Sequence, residues 1–345
     1  MRSLSRLPLL LALLCASMWL PAALAQVERP TPDSLPSWKD GAPKRAIVDF
    51  LRRATDEAGP DFIPRGERLA VFDHDGTLWS EKPAVEGVFV LERVKAKAAK
   101  DPAVRSQPAV QALLKGDLAY FEERGPEAVG ELLAVTDQGL SDEQYQAQVR
   151  QFLRTARHPT LNVPYLATAY APMQELLELM RNSGFQTWIV TGGSADFVRT
   201  FSQQLYGVPP EQVIGSSLRK ELQQQGNRSV VVRTGELLTL NDKAQKPVNI
   251  SVRVGRRPAV AVGNERSGGD VAMLGYAKGR EGASLQLLID HDDAKREFSY
   301  DEPDGASLAA ARQQGFTVVS IQRDWRMVYA AGTRAVGGSG PADSP

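Results

Sequence analysis

Val71-Phe72-Asp73-His74-Asp75-Gly76-Thr77-Leu78 joins the end of an apolar run, Leu69 to Phe72, to two carboxylates and a Gly-Thr turn. Four apolar residues bounded by polar ones predict a short strand covered on both faces, as in a parallel sheet. Nothing structural calls for two carboxylates two residues apart at a strand's end, where their repulsion costs stability. A divalent cation commonly compensates such a pair, and an oxygen-only site favours Mg²⁺ over Zn²⁺. An Asp-Gly turn with solvated acids is the plainer reading of the same residues.

Four more runs share this character: Thr187 to Val190, Ala259 to Val262, Leu285 to Ile289 and Thr317 to Ile321. A helix precedes the first of these, with Pro172 near its start, Leu176, Leu177, Leu179 and Met180 on its apolar face, and Gly184 closing it. Another helix spans Ala306 to Gln314 and stops at Gly315. Strand and helix in alternation predict an α/β fold, a Rossmann-like parallel sheet core with helices on both faces. More than a hundred residues separate Phe72 from Thr187, too many for one crossover. Within them Val85 to Lys97, Ala109 to Glu123, Pro126 to Val135 and Asp142 to Ala156 carry helical spacing without strand alternation. They predict an inserted α-helical cap domain whose edge falls near the end of the first strand, where such folds place ligands. Ser217 to Leu240, with Gly226-Asn227 at its turn, predicts a hairpin.

The 345 residues balance 41 Lys+Arg against 41 Asp+Glu, which argues against a general nucleic-acid binder. Arg2 and Arg6, the apolar run Leu7 to Leu20 and the Ala23-Leu24-Ala25 site predict a signal peptide cleaved before Gln26. An uncleaved membrane anchor is the rival, weakened by Pro8 and Pro21. The single cysteine, Cys15, lies inside that segment, so cleavage leaves a chain with no disulfide and no thiol nucleophile. Exported yet disulfide-free suits a bacterial periplasmic or secreted protein, with no membrane attachment after cleavage. The expected organisation is a signal peptide over 1–25, a first core part over 26–84, a helical cap over 85–165, a second core part over 166–331 and a disordered tail over 332–345.

Three later stretches fall in order behind the acidic pair: Ile189-Val190-Thr191-Gly192-Gly193, Gln245-Lys246-Pro247-Val248, and Val262-Gly263-Asn264 running to Asp270. Together the four resemble the motifs of the haloacid dehalogenase superfamily over roughly residues 65 to 325, with the cap where that superfamily commonly carries one. The nearest likeness is to its phosphoserine-phosphatase-like and phosphorylcholine-phosphatase-like branch. The resemblance implies an Mg²⁺-dependent phosphomonoester phosphatase in which Asp73 attacks phosphorus and Asp75 is acid and then base. It implies phosphate contacts from the Thr191 hydroxyl and the Gly192 N–H, at the start of a helix over Ser194 to Phe201. Lys246 would pair with the phosphate and Asp73, although Lys220 and Lys243 compete for that part. The metal set implied is Asp73, Asp75, Asn264 and Asp270. Here the chain departs from the family, with five residues between Asn264 and Asp270 where about three are usual, and Glu265 becomes a rival ligand.

His74 reads as a packing or surface residue, His291-Asp292-Asp293 as a solvated acidic loop, and Trp79 as a core, cap-contact or substrate-facing residue. The second acid of the first motif argues against dehalogenase chemistry. A phosphomutase or phosphotransferase would share both acids, and a catalytically inactive periplasmic phosphate-ester-binding protein would explain the altered fourth motif. The expected partner is a small-molecule phosphomonoester of unspecified identity.

Overall fold

A computed structural model describes residues 34–265, 269–300, 302 and 304–330. The signal peptide with Cys15 and the tail over 332–345 lie outside the described residues. Seven strands form one sheet: β1 (Leu69–Phe72), β2 (Gln186–Ser194), β3 (Val213–Gln225), β4 (Arg228–Thr239), β5 (Val260–Asn264), β6 (Leu285–Asp290) and β7 (Thr317–Ser320). Their spatial order is β4-β3-β2-β1-β5-β6-β7, parallel throughout except for β4, which runs back against β3.

The four residues of β1 are all buried because the sheet is covered twice. Ala70 and Phe72 face one apolar layer, with Ile47, Phe50 and Leu51 of the helix Ala42–Thr55 and Leu176, Leu177 and Met180 of the helix Ala171–Asn182. Leu69 and Val71 face the other, with Ile250, Met273 and Leu274 from the helices Gln245–Val254 and Gly269–Lys278. Alternation along the strand therefore feeds both layers, and apolar residues are needed at every position. Truncating Phe72 to Ala would remove a fully buried ring, a change worth about 3–5 kcal/mol.

The chain leaves β1 for β2 and β3 on one side, then returns to β5 on the other, so β1 and β5 flank the point where strand order reverses. Register makes the strand ends level there, since Phe72 is paired with both Ile189 and Val262. Asp73, Thr191 and Asn264 thus emerge on one edge.

Six helices between Val85 and Thr155 make the insert. The expected single helix over Ala109 to Glu123 is two, Pro108–Lys115 and Leu118–Arg124, because Gly116 takes a left-handed conformation (φ 72°) and Asp117 caps the second. The base of the insert, through Phe89, Tyr145 and Phe152, belongs to the main core, whereas Val94, Ala98, Ala109, Val110 and Leu132 make a small core of their own. The hairpin turns at Gly226-Asn227 as expected, but β3 begins as a parallel strand beside β2, a sheet member that Val213-Ile214 before Gly215 does not advertise. Backbone hydrogen bonds tie β4 to the insert: the Arg233 N–H donates to the Leu140 carbonyl and the Gly139 N–H to that of Arg233.

Candidate active site

Asp73 leaves β1 with its N–H donated to the Val262 carbonyl at 2.9 Å, and its carboxyl is buried. One oxygen accepts from Lys246 Nζ at 2.5 Å, the other from Thr77 Oγ1 at 3.0 Å. Lys246, in the first turn of the helix Gln245–Val254, also donates to Asp270 Oδ1 at 2.5 Å, so one ammonium bridges two buried carboxylates. Burial opposes its charge, but Asp270 and Asp73 outweigh that and hold its pKa above the ordinary lysine value. Burial, with the Asp73 charge behind it, pushes the Asp270 carboxyl up. The competing lysines are elsewhere: Lys220 pairs with Asp142 and Asp196, and Lys243 lies in a loop with φ 49°.

The turn after Asp73 aims Asp75 at the same edge. Gly76 takes φ 75°, and a Cβ there would lie 2.0 Å from the Asn264 amide nitrogen, so only glycine serves. Trp79 Nε1 donates to Asp75 Oδ1 at 2.8 Å, a role the sequence left open between core and substrate contact. Burial opposes the Asp75 charge, yet His74, Trp79 and Lys246 hold its carboxyl below the usual range. His74 is buried against Trp79, Phe201 and Tyr206, a packing position from which its Nδ1 also stands 3.8 Å from Asp75 Oδ2.

Thr191 Oγ1 stands 3.5 Å from Asp75 Oδ2 and accepts the Gly193 N–H at 3.0 Å. The Thr191 carbonyl is held by Asn241 Nδ2 at 2.8 Å, and that of Gly192 by Ser216 Oγ at 2.8 Å. The helix expected over Ser194 to Phe201 is shorter, Ala195–Arg199 capped by the Ser194 hydroxyl, with a separate turn from Ser202 because Phe201 leaves helical geometry (ψ −7°, φ −134°). The anion at that turn is Glu86 of the insert, which accepts the Ser194 N–H at 2.8 Å. Burial pushes its carboxyl up to about 7.

Asn264 and Asp270 meet despite the long loop, since the Asn264 N–H donates to Asp270 Oδ2 at 2.9 Å. Glu265 turns away and accepts the His291 N–H at 3.0 Å. Among the described residues no group of three or more His, Cys, Asp or Glu stands ready for a metal, so a cation here would rest on mixed oxygens. The donors fit Mg²⁺: carboxylates of Asp73 and Asp270, the carbonyl of Asp75 and the amide of Asn264, which lies 2.6 Å from that carbonyl. Two carboxylates share one lysine, leaving a net negative charge for a cation to neutralise.

The solvated loop expected at His291-Asp292-Asp293 is instead built in. His291 is wholly buried, its Nε2 donating to the Gly76 carbonyl at 2.8 Å and its Nδ1 paired with Glu297 Oε2 at 3.2 Å, with Tyr300 stacked on its ring at 4.3 Å. Glu297 in turn accepts from Ser80 and Tyr170. Asp293 is buried and pairs with Arg296, while Asp292 caps the turn at Gln322. Packing of β6 beside β5 sets this, so His291 braces the turn between Asp75 and Thr77 from below.

The haloacid dehalogenase-like hydrolase family profile matches residues 70–267, more than half of the chain, and the chain belongs to that family of hydrolases. A conserved functionally unknown protein from Anaerococcus prevotii shares the fold at 14% identity and TM-score 0.53, over 80% of this chain and 91% of that one. A phosphoserine phosphohydrolase-like protein from Francisella tularensis is 17% identical with TM-score 0.37, over 70% and 98%. A Had-superfamily hydrolase from Ehrlichia chaffeensis is 13% identical with TM-score 0.29, over 71% and 96%. Of the three, the first superposes well enough to speak to the fold, and at that identity to the fold alone. No curated protein matches the chain.

Proposed function

We propose that the chain is an exported, Mg²⁺-dependent phosphomonoester hydrolase working through an aspartyl-phosphate. The observation that carries this is the Lys246 ammonium between Asp73 and Asp270, with Asp75 two residues on and beside Thr191. The free lone pairs of Asp73 attack phosphorus as the bond from phosphorus to the leaving oxygen breaks, and Lys246 steadies the charge of the phosphoryl oxygens. Asp75 gives that leaving oxygen a proton, then takes one from the water that attacks the phosphoryl group and restores the Asp73 carboxylate. Its environment suits the base half as it stands. The dianionic ester supplies the other half, because a like charge raises the proton affinity of Asp75. The Thr191 hydroxyl and Gly192 N–H would bind phosphate oxygens. When bound by Asp73, Asp270, Asn264 and the Asp75 carbonyl, Mg²⁺ would supply a Lewis acid for those oxygens.

The signal segment supports action in the periplasm or outside the cell, on a small-molecule ester rather than nucleic acid. No helix of the described residues is long and apolar enough to cross a membrane. Phosphate release from a panel including phosphocholine, phosphoserine and an aryl phosphate, with and without Mg²⁺, tests the activity. Ester binding without release would instead make this an inactive binding protein, and recovery of a chain beginning at Gln26 tests export.

A further inference from the structure

We propose that Trp79 is a positioning residue for the acid–base step: its indole N–H holds one oxygen of Asp75, so that the other, Oδ2, carries the proton in both halves of the reaction. The proposal rests on the phosphomonoesterase reading and adds the residue through which Asp75 is aimed.

The two Asp75 oxygens stand in unlike surroundings. Oδ1 accepts from Trp79 Nε1 at 2.8 Å. Oδ2 makes longer approaches, 3.5 Å to Thr191 Oγ1 and 3.8 Å to His74 Nδ1. An indole N–H donates and has no lone pair with which to accept, so the oxygen it holds stays an acceptor. The carboxyl proton therefore belongs on Oδ2, the oxygen beside the Thr191 hydroxyl. The Asp75 side chain keeps 36% of its surface open, which leaves an approach for the leaving oxygen and later for a water.

Trp79 is itself held firmly enough to aim a neighbour. Its ring is 1% exposed, stacked on Phe201 with centroids 5.3 Å apart and packed 4.5 Å from the His74 ring. The Gly76 N–H donates to its carbonyl at 2.9 Å, closing the turn that begins at Asp75. On either side of it, the Tyr170 N–H donates to the Leu78 carbonyl at 2.9 Å and the Ser80 N–H to the Thr168 carbonyl at 3.1 Å. A buried indole usually finds a partner for its N–H, and for Trp38 a backbone carbonyl serves, that of Pro172 at 3.0 Å. At Trp79 the acceptor is the carboxylate that does the chemistry.

With Oδ1 held, the path of the proton is set. As Asp73 bonds to phosphorus and the bond to the leaving oxygen breaks, the Oδ2 proton passes to that oxygen and its electron pair stays on the carboxylate. In the second half Oδ2 takes a proton from the water whose oxygen attacks phosphorus, and the bond from phosphorus to Asp73 breaks. Without the N–H the carboxylate is free to turn, and Oδ2 faces the reacting oxygen for only part of the time.

Two esters separate this role from packing. Ethyl phosphate needs a proton on its leaving oxygen, whereas the nitrophenyl group of 4-nitrophenyl phosphate departs as a stable anion. Trp79→Phe keeps an aromatic ring and removes the N–H. With Mg²⁺ present, it should lower kcat/KM for ethyl phosphate by about 10–100-fold and for 4-nitrophenyl phosphate by less than about threefold. Site-specific replacement of the Trp79 indole by benzothiophene, which puts sulfur where the N–H was at nearly the same shape, should give the same split even if Trp79→Phe does not fold. Equal losses for the two esters, or no loss for either, make Trp79 a packing residue and overturn the proposal while the phosphatase reading stands. Release from neither ester by the unaltered protein sinks the phosphatase reading, and the proposal with it.

Discussion

At the end of β1 the buried carboxylates are held by hydrogen bonds: Asp73 and Asp270 by the one Lys246, Asp75 by Trp79. On the insert, Leu118 and Val129 stand with much of their surface uncovered. The first region sets two buried carboxylates against one ammonium, an excess charge that a cation can answer. The second leaves apolar side chains open to solvent. The two are different kinds of surface, one buried and ionic, the other apolar and open.

Substitutions at the ionic end should do the most damage. Asp73→Asn keeps the shape but removes the attacking oxygen, so phosphate release should fall by more than ~10³-fold with the circular dichroism spectrum unchanged. Near-normal turnover would place the nucleophile elsewhere. Lys246→Met leaves Asp73 and Asp270 buried without their cation, which should lower stability by about 3–5 kcal/mol in urea unfolding. Saturating Mg²⁺ should return part of that loss; no recovery would mean the two carboxylates hold no cation.

One step further from phosphorus, His291→Gln should raise the half-saturating Mg²⁺ concentration by about 10–100-fold, the usual range for groups that orient a metal's ligands. An unchanged titration would reduce His291 to packing. Asp270→Asn should shift the same titration well beyond Glu265→Gln, since only Asp270 faces Lys246. The reverse order would exchange their parts. At the far end of the comparison, Leu118→Gln should alter the unfolding free energy by less than about 0.5 kcal/mol, because an exposed side chain supports no core. A larger loss would show that Leu118 supports the insert's packing after all.

How far each region was legible follows from how local its causes are. An apolar run ending in Asp-x-Asp needs only neighbours in the chain, so β1 and its two acids could be read directly. Lys246 needed the family likeness, because Lys220 and Lys243 are equal to it until the fold carries one to Asp142 and leaves the other in a loop. The brace at His291 was misread as a solvated loop. It depends on Gly76, Tyr170 and Glu297, brought together by the order of β1, β5 and β6 and not by spacing. The open apolar surface of the insert was invisible for a similar reason. On short helices such as Leu118–Arg124, an apolar residue that lines a pocket has the same pattern as one that fills a core.

The backbone ties between Arg233 and Leu140, and the bridge of Ser141 to Val232, have a consequence for how this chain avoids aggregating. β4 is the last strand on its side of the sheet, and an open strand edge is a template on which other chains can add. The insert occupies part of that edge with its own backbone, and Arg233 is bolted beneath it to Asp142. Trimming residues 85–155 to make a minimal enzyme would therefore uncover the flank where Val230, Val231 and Val232 follow one another, and the shortened protein would be expected to stack edge to edge into oligomers.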